Sequence, residues 1–246
     1  MLSSRLSATP PRQAALVAGV GYVVIVVLAL FANFFVLERL TVTDDPAATA
    51  ANIASARLLF SGGIAAFIIV LVADVVVAWG LYVFLQPTHR ELSLFAAWFR
   101  LIYVAITAAA LLNLLVALKL VDDTGYTAAL EAGQRKAHLM LFLDAYTYGW
   151  SIALVWFGVH LVLVGLVMAR SDYVPRVLSM LVAIAGLAYV VGKLASVFVP
   201  EYNDVILAFI AALALPGELG LTGWLLWKGG KRQPITGLHS RVAIAR

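Results

Sequence analysis

Six separate stretches of this chain are apolar and long enough to cross a lipid bilayer as helices, and that pattern leaves few folds open to it. A hydrocarbon slab needs roughly 20 apolar residues in helical form. The stretches cover residues 14–37, 58–85, 92–118, 139–169, 177–199 and 205–227. Soluble domains carry about a quarter of their residues as charged side chains. Here 12% are charged and 63% are hydrophobic. So few charges cannot coat a water-facing surface, which leaves lipid as the solvent for most of the exterior. The expected fold is all-α: a polytopic membrane protein with six transmembrane helices in one bundle. Residues 1–13 form an N-terminal tail, 14–230 the transmembrane domain and 231–246 a basic C-terminal tail.

The first stretch is too long for a cleaved secretion signal, whose apolar core spans about 7–15 residues, and no clear small-residue cleavage site follows it. Two connections are longer than the rest. Residues 38–57 contain Asp44, Asp45 and Pro46 ahead of an alanine-rich segment. An Asp before a Pro starts a helix well, because the carboxylate takes up free amides and proline suits the first turn. A short helix is therefore expected before the second span. Residues 119–138 read as a solvated loop. Tyr146, Tyr148 and Gly149 suggest a start to the long fourth stretch that tilts, kinks or lies in the headgroup zone.

Lys and Arg in short connections set orientation in a membrane. Arg5, Arg12, Arg90, Arg170, Arg176, Lys228, Lys231, Arg232, Arg241 and Arg246 fall on one side; Arg39, Arg57, Lys119, Arg135 and Lys136 fall on the other. The richer side is expected to be cytoplasmic, with both chain ends inside a cell membrane. The net charge of +4 is thereby a topology signal, and no nucleic-acid partner is expected.

Charged residues inside the spans are costly, about 2.5–3.5 kcal/mol each near the bilayer centre on insertion scales, so they face the bundle interior or a wet cavity. At about 1.5 Å per residue, Asp74, Arg100, His160 and Glu218 lie roughly 12–17 Å from the cytoplasmic end of their spans. Four helices thus contribute to one inner polar layer. Asp144 and Lys193 lie roughly 8–9 Å from the opposite end, with Asn113 and Asn33 at similar height. Each layer holds opposite charges, so Asp144 is expected to pair with Lys193, and Arg100 with Asp74 or Glu218. The inner layer reads either as a polar pocket or proton site, or as an ionic clamp that fixes helix register. Pro216 lies two residues before Glu218 and is expected to kink its helix. Gly217, Gly220 and Gly223 offer close approach to another helix. Arg100, Tyr103 and Thr107 share one helical face, as do Tyr189, Lys193 and Ser196.

Familiar chemistries leave no trace. There is no cysteine, so disulfides and thiolate chemistry are absent. No Walker sequence, GxGxxG, HExxH or GxSxG occurs. A metal site is not expected, since Arg100 shares the layer with His160 and the carboxylates and would repel a cation. No cofactor is expected either.

Several features in order carry a resemblance. They are Phe34-Phe35 and Glu38-Arg39, the run Thr49-Ala50-Ala51-Asn52-Ile53, Asp74 with Leu81-Tyr82, and Phe99-Arg100-Leu101. Phe157-Gly158-Val159-His160-Leu161 follows, then Tyr173-Val174-Pro175-Arg176-Val177-Leu178, Ala185-Gly186-Leu187-Ala188-Tyr189, and Glu218 ahead of Trp224-Leu225-Leu226-Trp227-Lys228-Gly229. Over roughly residues 14–230 the chain resembles the uncharacterised bacterial membrane family called domain of unknown function 4386. Lys193 departs from the acidic or neutral polar residue that this resemblance implies there. The family implies a fold and no reaction.

Three functions are consistent with the residues. The leading expectation is a non-enzymatic membrane protein whose polar layer binds or passes a small solute or a proton. The second is an intramembrane enzyme acting on a lipid-like substrate through His160 with Asp74 or Glu218. The third is a non-catalytic partner or scaffold subunit. The bilayer is the expected partner, and self-association is left open.

Overall fold

The computed structural model describes residues 9–122, 125–229 and 231, and among these the chain is helical, with short turns between helices and no β-strand. Helix α1 spans Pro11–Leu40, with proline in its first turn and a wider π-type winding over Phe31–Leu37. Helix α2 is Pro46–Ser55. The Asp45 carboxylate accepts from the amides of Ala47 and Ala48 at 3.0 and 2.8 Å, so this cap forms as its residues imply. Between α2 and the next connection lies a 64-residue helical segment, Arg57–Leu120, broken at His89, whose backbone is extended (φ −158°, ψ 95°) two residues after Pro87. A straight helix would hold Asp74 and Arg100 about 39 Å apart. Instead Arg100 Nη2 lies 2.6 Å from Asp74 Oδ1, and Arg57 at one end of the segment pairs with Asp122 just beyond the other. The chain therefore doubles back at His89 into two antiparallel rods, α3 (57–88) and α4 (90–120). His89 Nδ1 accepts the Leu92 amide at 3.3 Å and so caps the first turn of α4.

Helices α5 (Ala132–Ala169), α6 (Arg176–Phe198) and α7 (Asn203–Trp227) complete the chain and follow its apolar stretches closely. With the division at His89, the described residues contain six long apolar rods: α1, α3, α4, α5, α6 and α7.

The rods form a closed ring of neighbours: α1 against the α3–α4 hairpin, that hairpin against α5, then α5–α6, α6–α7, and α7 back onto α1. Small residues line the seams. Ala14, Ala15, Ala18, Ala153 and Ala185 are fully buried, while Val27, Phe35, Val72, Leu112 and Met180 are more than half exposed. Small residues at helix seams with apolar bulk turned outward is an arrangement found in helices packed in lipid. At the α5–α6 crossing a Cβ added to Gly158 would meet the Gly186 carbonyl oxygen at 2.6 Å, so the two backbones touch. Gly217 makes the equivalent approach to the Leu181 carbonyl, whereas Gly223 faces open space, so the expected glycine stripe on α7 is used only in part.

Two expectations need correction. Residues 119–138 are not simply a solvated loop, because α5 begins at Ala132, seven residues before the apolar stretch. The reason is a capping box in which Glu131 and Gln134 satisfy each other's amides, with Glu131 N to Gln134 Oε1 at 3.3 Å. Of the alternatives for the start of the fourth stretch, a kink near Gly149 is absent, since α5 runs unbroken and Gly149 lets α5 approach Ala110 of α4. The N-terminal tail as far as residue 8 and the basic tail beyond Lys231 lie outside the described residues.

Arg12 joins the start of α1 to the end of α7. Its guanidinium donates to the carbonyls of Leu225, Leu226 and Gly229 at 3.0, 2.6 and 2.9 Å. These are carbonyls that the end of α7 leaves without intrahelical donors, and a cation there also complements the helix dipole. The two helix ends thus sit at the same end of the bundle.

Candidate functional site: an inner ionic cluster and an outer cleft

Arg100, 0% exposed, is the centre of the inner layer. Its Nε and Nη2 both donate to Asp74 Oδ1, at 3.0 and 2.6 Å, joining α4 to α3. Its Nη1 donates to the Tyr22 hydroxyl of α1 at 2.8 Å and to His160 Nε2 of α5 at 3.1 Å. The guanidinium also lies over the rings of Tyr22 and Phe157, 4.8 and 5.3 Å from their centres, where a ring face attracts a cation. One side chain therefore ties four helices together.

The protonation pattern of His160 follows from donor rules. Arginine only donates, so Nε2 accepts and carries no hydrogen. Nδ1 lies 2.8 Å from the Ala96 carbonyl, which only accepts, so Nδ1 carries the hydrogen. His160 is thus held as one neutral tautomer with both nitrogens engaged. It has no nitrogen left to take a proton from a substrate or to hold a metal.

Glu218 of α7 is set apart from this network. It does not bond to Arg100, which takes Asp74 of the two carboxylates that the sequence offers. Its carboxyl group lies beside the Tyr189 hydroxyl of α6, while its Oε1 is buried without a hydrogen-bond partner among the described residues. Asp74 Oδ2, Thr107 Oγ1 and the Tyr146 hydroxyl share that condition. Pro216 stays within the continuous helix α7, and its lack of an N–H removes the usual donor to the carbonyl four residues earlier. Tyr22 is the residue of the cluster that the charge-based reading missed. The signal was present, since Tyr22 lies eight residues into its span, roughly 12 Å deep and level with Arg100.

The outer layer is arranged differently. Asp144 and Lys193 both line a cleft of about 470 Å³ walled by the ends of α1, α6 and α7 and the middle of α5. They do not form the expected pair: among the described residues the ion pairs are Arg57–Asp122 and Asp74–Arg100. Lys193 is buried and Asp144 is exposed, so the two differ in how far the helices cover them although they line the same cleft. Asn33 also lines it. Asn113 does not join them; its amide donates to the Ala110 carbonyl of its own helix at 3.0 Å. Glu38, Tyr146 and Trp150 add to the polar and aromatic part of the lining.

The family model described as Domain of unknown function (DUF4386) matches residues 17–229. The chain belongs to this family. An uncharacterized protein of Archaeoglobus fulgidus is 28% identical over 169 residues, which cover 68% of this chain and 83% of that protein. No solved structure matches. This DUF4386 member is an all-helical bundle among its described residues, with an arginine-centred knot between helices and a separate cleft.

Proposed function

We propose that this DUF4386 protein is a non-enzymatic, six-span protein of the cytoplasmic membrane, with both ends in the cytoplasm, that binds a small polar solute in the cleft between α1, α5, α6 and α7. The inner cluster serves as the clamp that holds the bundle. One observation carries the proposal: Lys193, unpaired among the described residues, is buried within a span yet lines an open cleft. An intramembrane charge costs a few kcal/mol, and such residues persist where they meet a partner or line a path. Arg100 and Asp74 of the inner layer have met their partners. Lys193 has not.

The orientation draws on the uneven distribution of Lys and Arg and on the shared end of α1 and α7. The chain has no cysteine, so single-cysteine labelling has no background. In right-side-out vesicles, Thr147→Cys on the cleft wall should react with a membrane-impermeant maleimide from outside. Ser171→Cys in the α5–α6 connection should react only after the membrane is opened. If the Thr147→Cys variant were labelled only from the cytoplasmic side, the topology would be overturned. A small solute should protect the thiol of that variant from the reagent, and adding Lys193→Met to it should abolish the protection.

A further inference from the structure

The cleft lining carries charges of both signs, one covered and the others exposed, and this separation points to its ligand. Lys193 is buried, and the Tyr146 hydroxyl beside the cleft is buried without a hydrogen-bond partner among the described residues. An ammonium is a donor only, so the covered part of the cleft presents the Lys193 ammonium as an unused donor, while the Tyr146 hydroxyl, on a residue of the same lining, is closed off from solvent. Asp144 and Glu38 are exposed carboxylates on the same lining, so the mouth presents anionic acceptors. Asp144 and Lys193 line one cleft yet are not in ion-pair contact. The space between them suits a molecule that carries both charges and bridges the two.

Building on the reading of the cleft as a solute site, we infer that its ligand is a small zwitterion, with its anionic group on the covered Lys193 and its ammonium on the exposed Asp144 and Glu38. A volume of about 470 Å³ falls within the usual range for small-molecule sites. Trp150, also on the lining, offers a ring face to the ammonium or to the carbon linker. The same chemistry occurs in free amino acids and in an ethanolamine phospholipid headgroup.

The test is calorimetric titration of the full chain in nanodiscs of phosphatidylglycerol, a lipid without an ammonium. Three probes are compared: β-alanine, and its two halves, propionate and propylamine. β-Alanine should bind at least about tenfold tighter than either half, as expected when two charge-assisted contacts act together. Lys193→Met keeps an unbranched side chain one atom shorter and removes a buried charge, so the variant should fold, and it should bind β-alanine no better than propylamine. Asp144→Asn combined with Glu38→Gln should bind it no better than propionate. If β-alanine and propylamine bind equally well to the unsubstituted chain, the zwitterion inference is wrong while a cation-binding cleft remains. If none of the three binds, the inference and the solute-site reading both fail. A final comparison separates the sources. Loss of β-alanine binding when phosphatidylethanolamine is added to the discs identifies the lipid headgroup as occupant, and undiminished binding identifies a free zwitterion.

Discussion

Removing the Asp74 carboxylate should expose how much of the bundle depends on Arg100. In Asp74→Ala the guanidinium loses its counter-charge and two hydrogen bonds, from Nε and Nη2, while remaining buried. Charge-assisted hydrogen bonds contribute about 1.5–3 kcal/mol each, and breaking one partner of a buried pair costs about 3–5 kcal/mol in total. Arg100→Met strands Asp74 in the same way, and Asp74→Leu strands Arg100 just as Asp74→Ala does, so each of these single variants should cost a similar amount. The double variant, Asp74→Leu with Arg100→Met, removes both charges and leaves only the Tyr22 hydroxyl and His160 Nε2 without their donor. It should lie within about 2 kcal/mol of the unsubstituted protein, because apolar replacement of a whole buried pair is often neutral or better. The measurement is equilibrium unfolding in mixed micelles with a denaturing detergent, read by fluorescence and analysed as a double-mutant cycle. The signature of a clamp is strong coupling: two damaging single variants and a tolerated double. Additive single effects, or a cost below about 1 kcal/mol for Asp74→Ala, would refute it. So would an Asp74→Ala variant of full stability that has lost solute binding, since the inner layer would then belong to the site.

Other substitutions test separate parts of the packing. Gly158→Ala should destabilise by about 1–3 kcal/mol, because its new methyl group meets the Gly186 backbone and cannot be accommodated by a side-chain shift; Gly223→Ala, which faces open space, should be close to neutral in the same unfolding assay. His160→Leu leaves the Ala96 carbonyl and one Arg100 donor unsatisfied and should cost about 1–3 kcal/mol, with His160→Gln recovering part of the loss. Arg12→Ala uncaps α7, and hydrogen exchange should accelerate at residues 224–229 while the amides of α5 keep their protection.

Much of the inner site was legible because depth is written in the sequence. A fixed rise per residue turns a position in a span into a height in the bilayer, and Asp74, Arg100 and His160 do meet at one height. Height did not identify which carboxylate Arg100 would take. It also could not separate Asp144 from Lys193, which have matching depth along their spans but differ in burial. Tyr22 escaped notice because an uncharged hydroxyl carries no penalty large enough to mark it, although its depth was readable. Arg12 was counted as a topology signal, and its role as a cap on α7 depends on two segments more than 200 residues apart.

The sequence alone determined the solvent, the number of long apolar segments and the height of each polar residue, because these depend on composition and on the one-dimensional geometry of a helix. The tertiary structure decided how each helix is rotated about its axis and which helices are neighbours. Those choices rest on small-residue contacts such as Gly158 with Gly186 and on the reversal at His89, which bring together residues distant in the chain. Rotation and neighbourhood, not depth, made Arg100 a saturated knot and left Lys193 facing an open cleft.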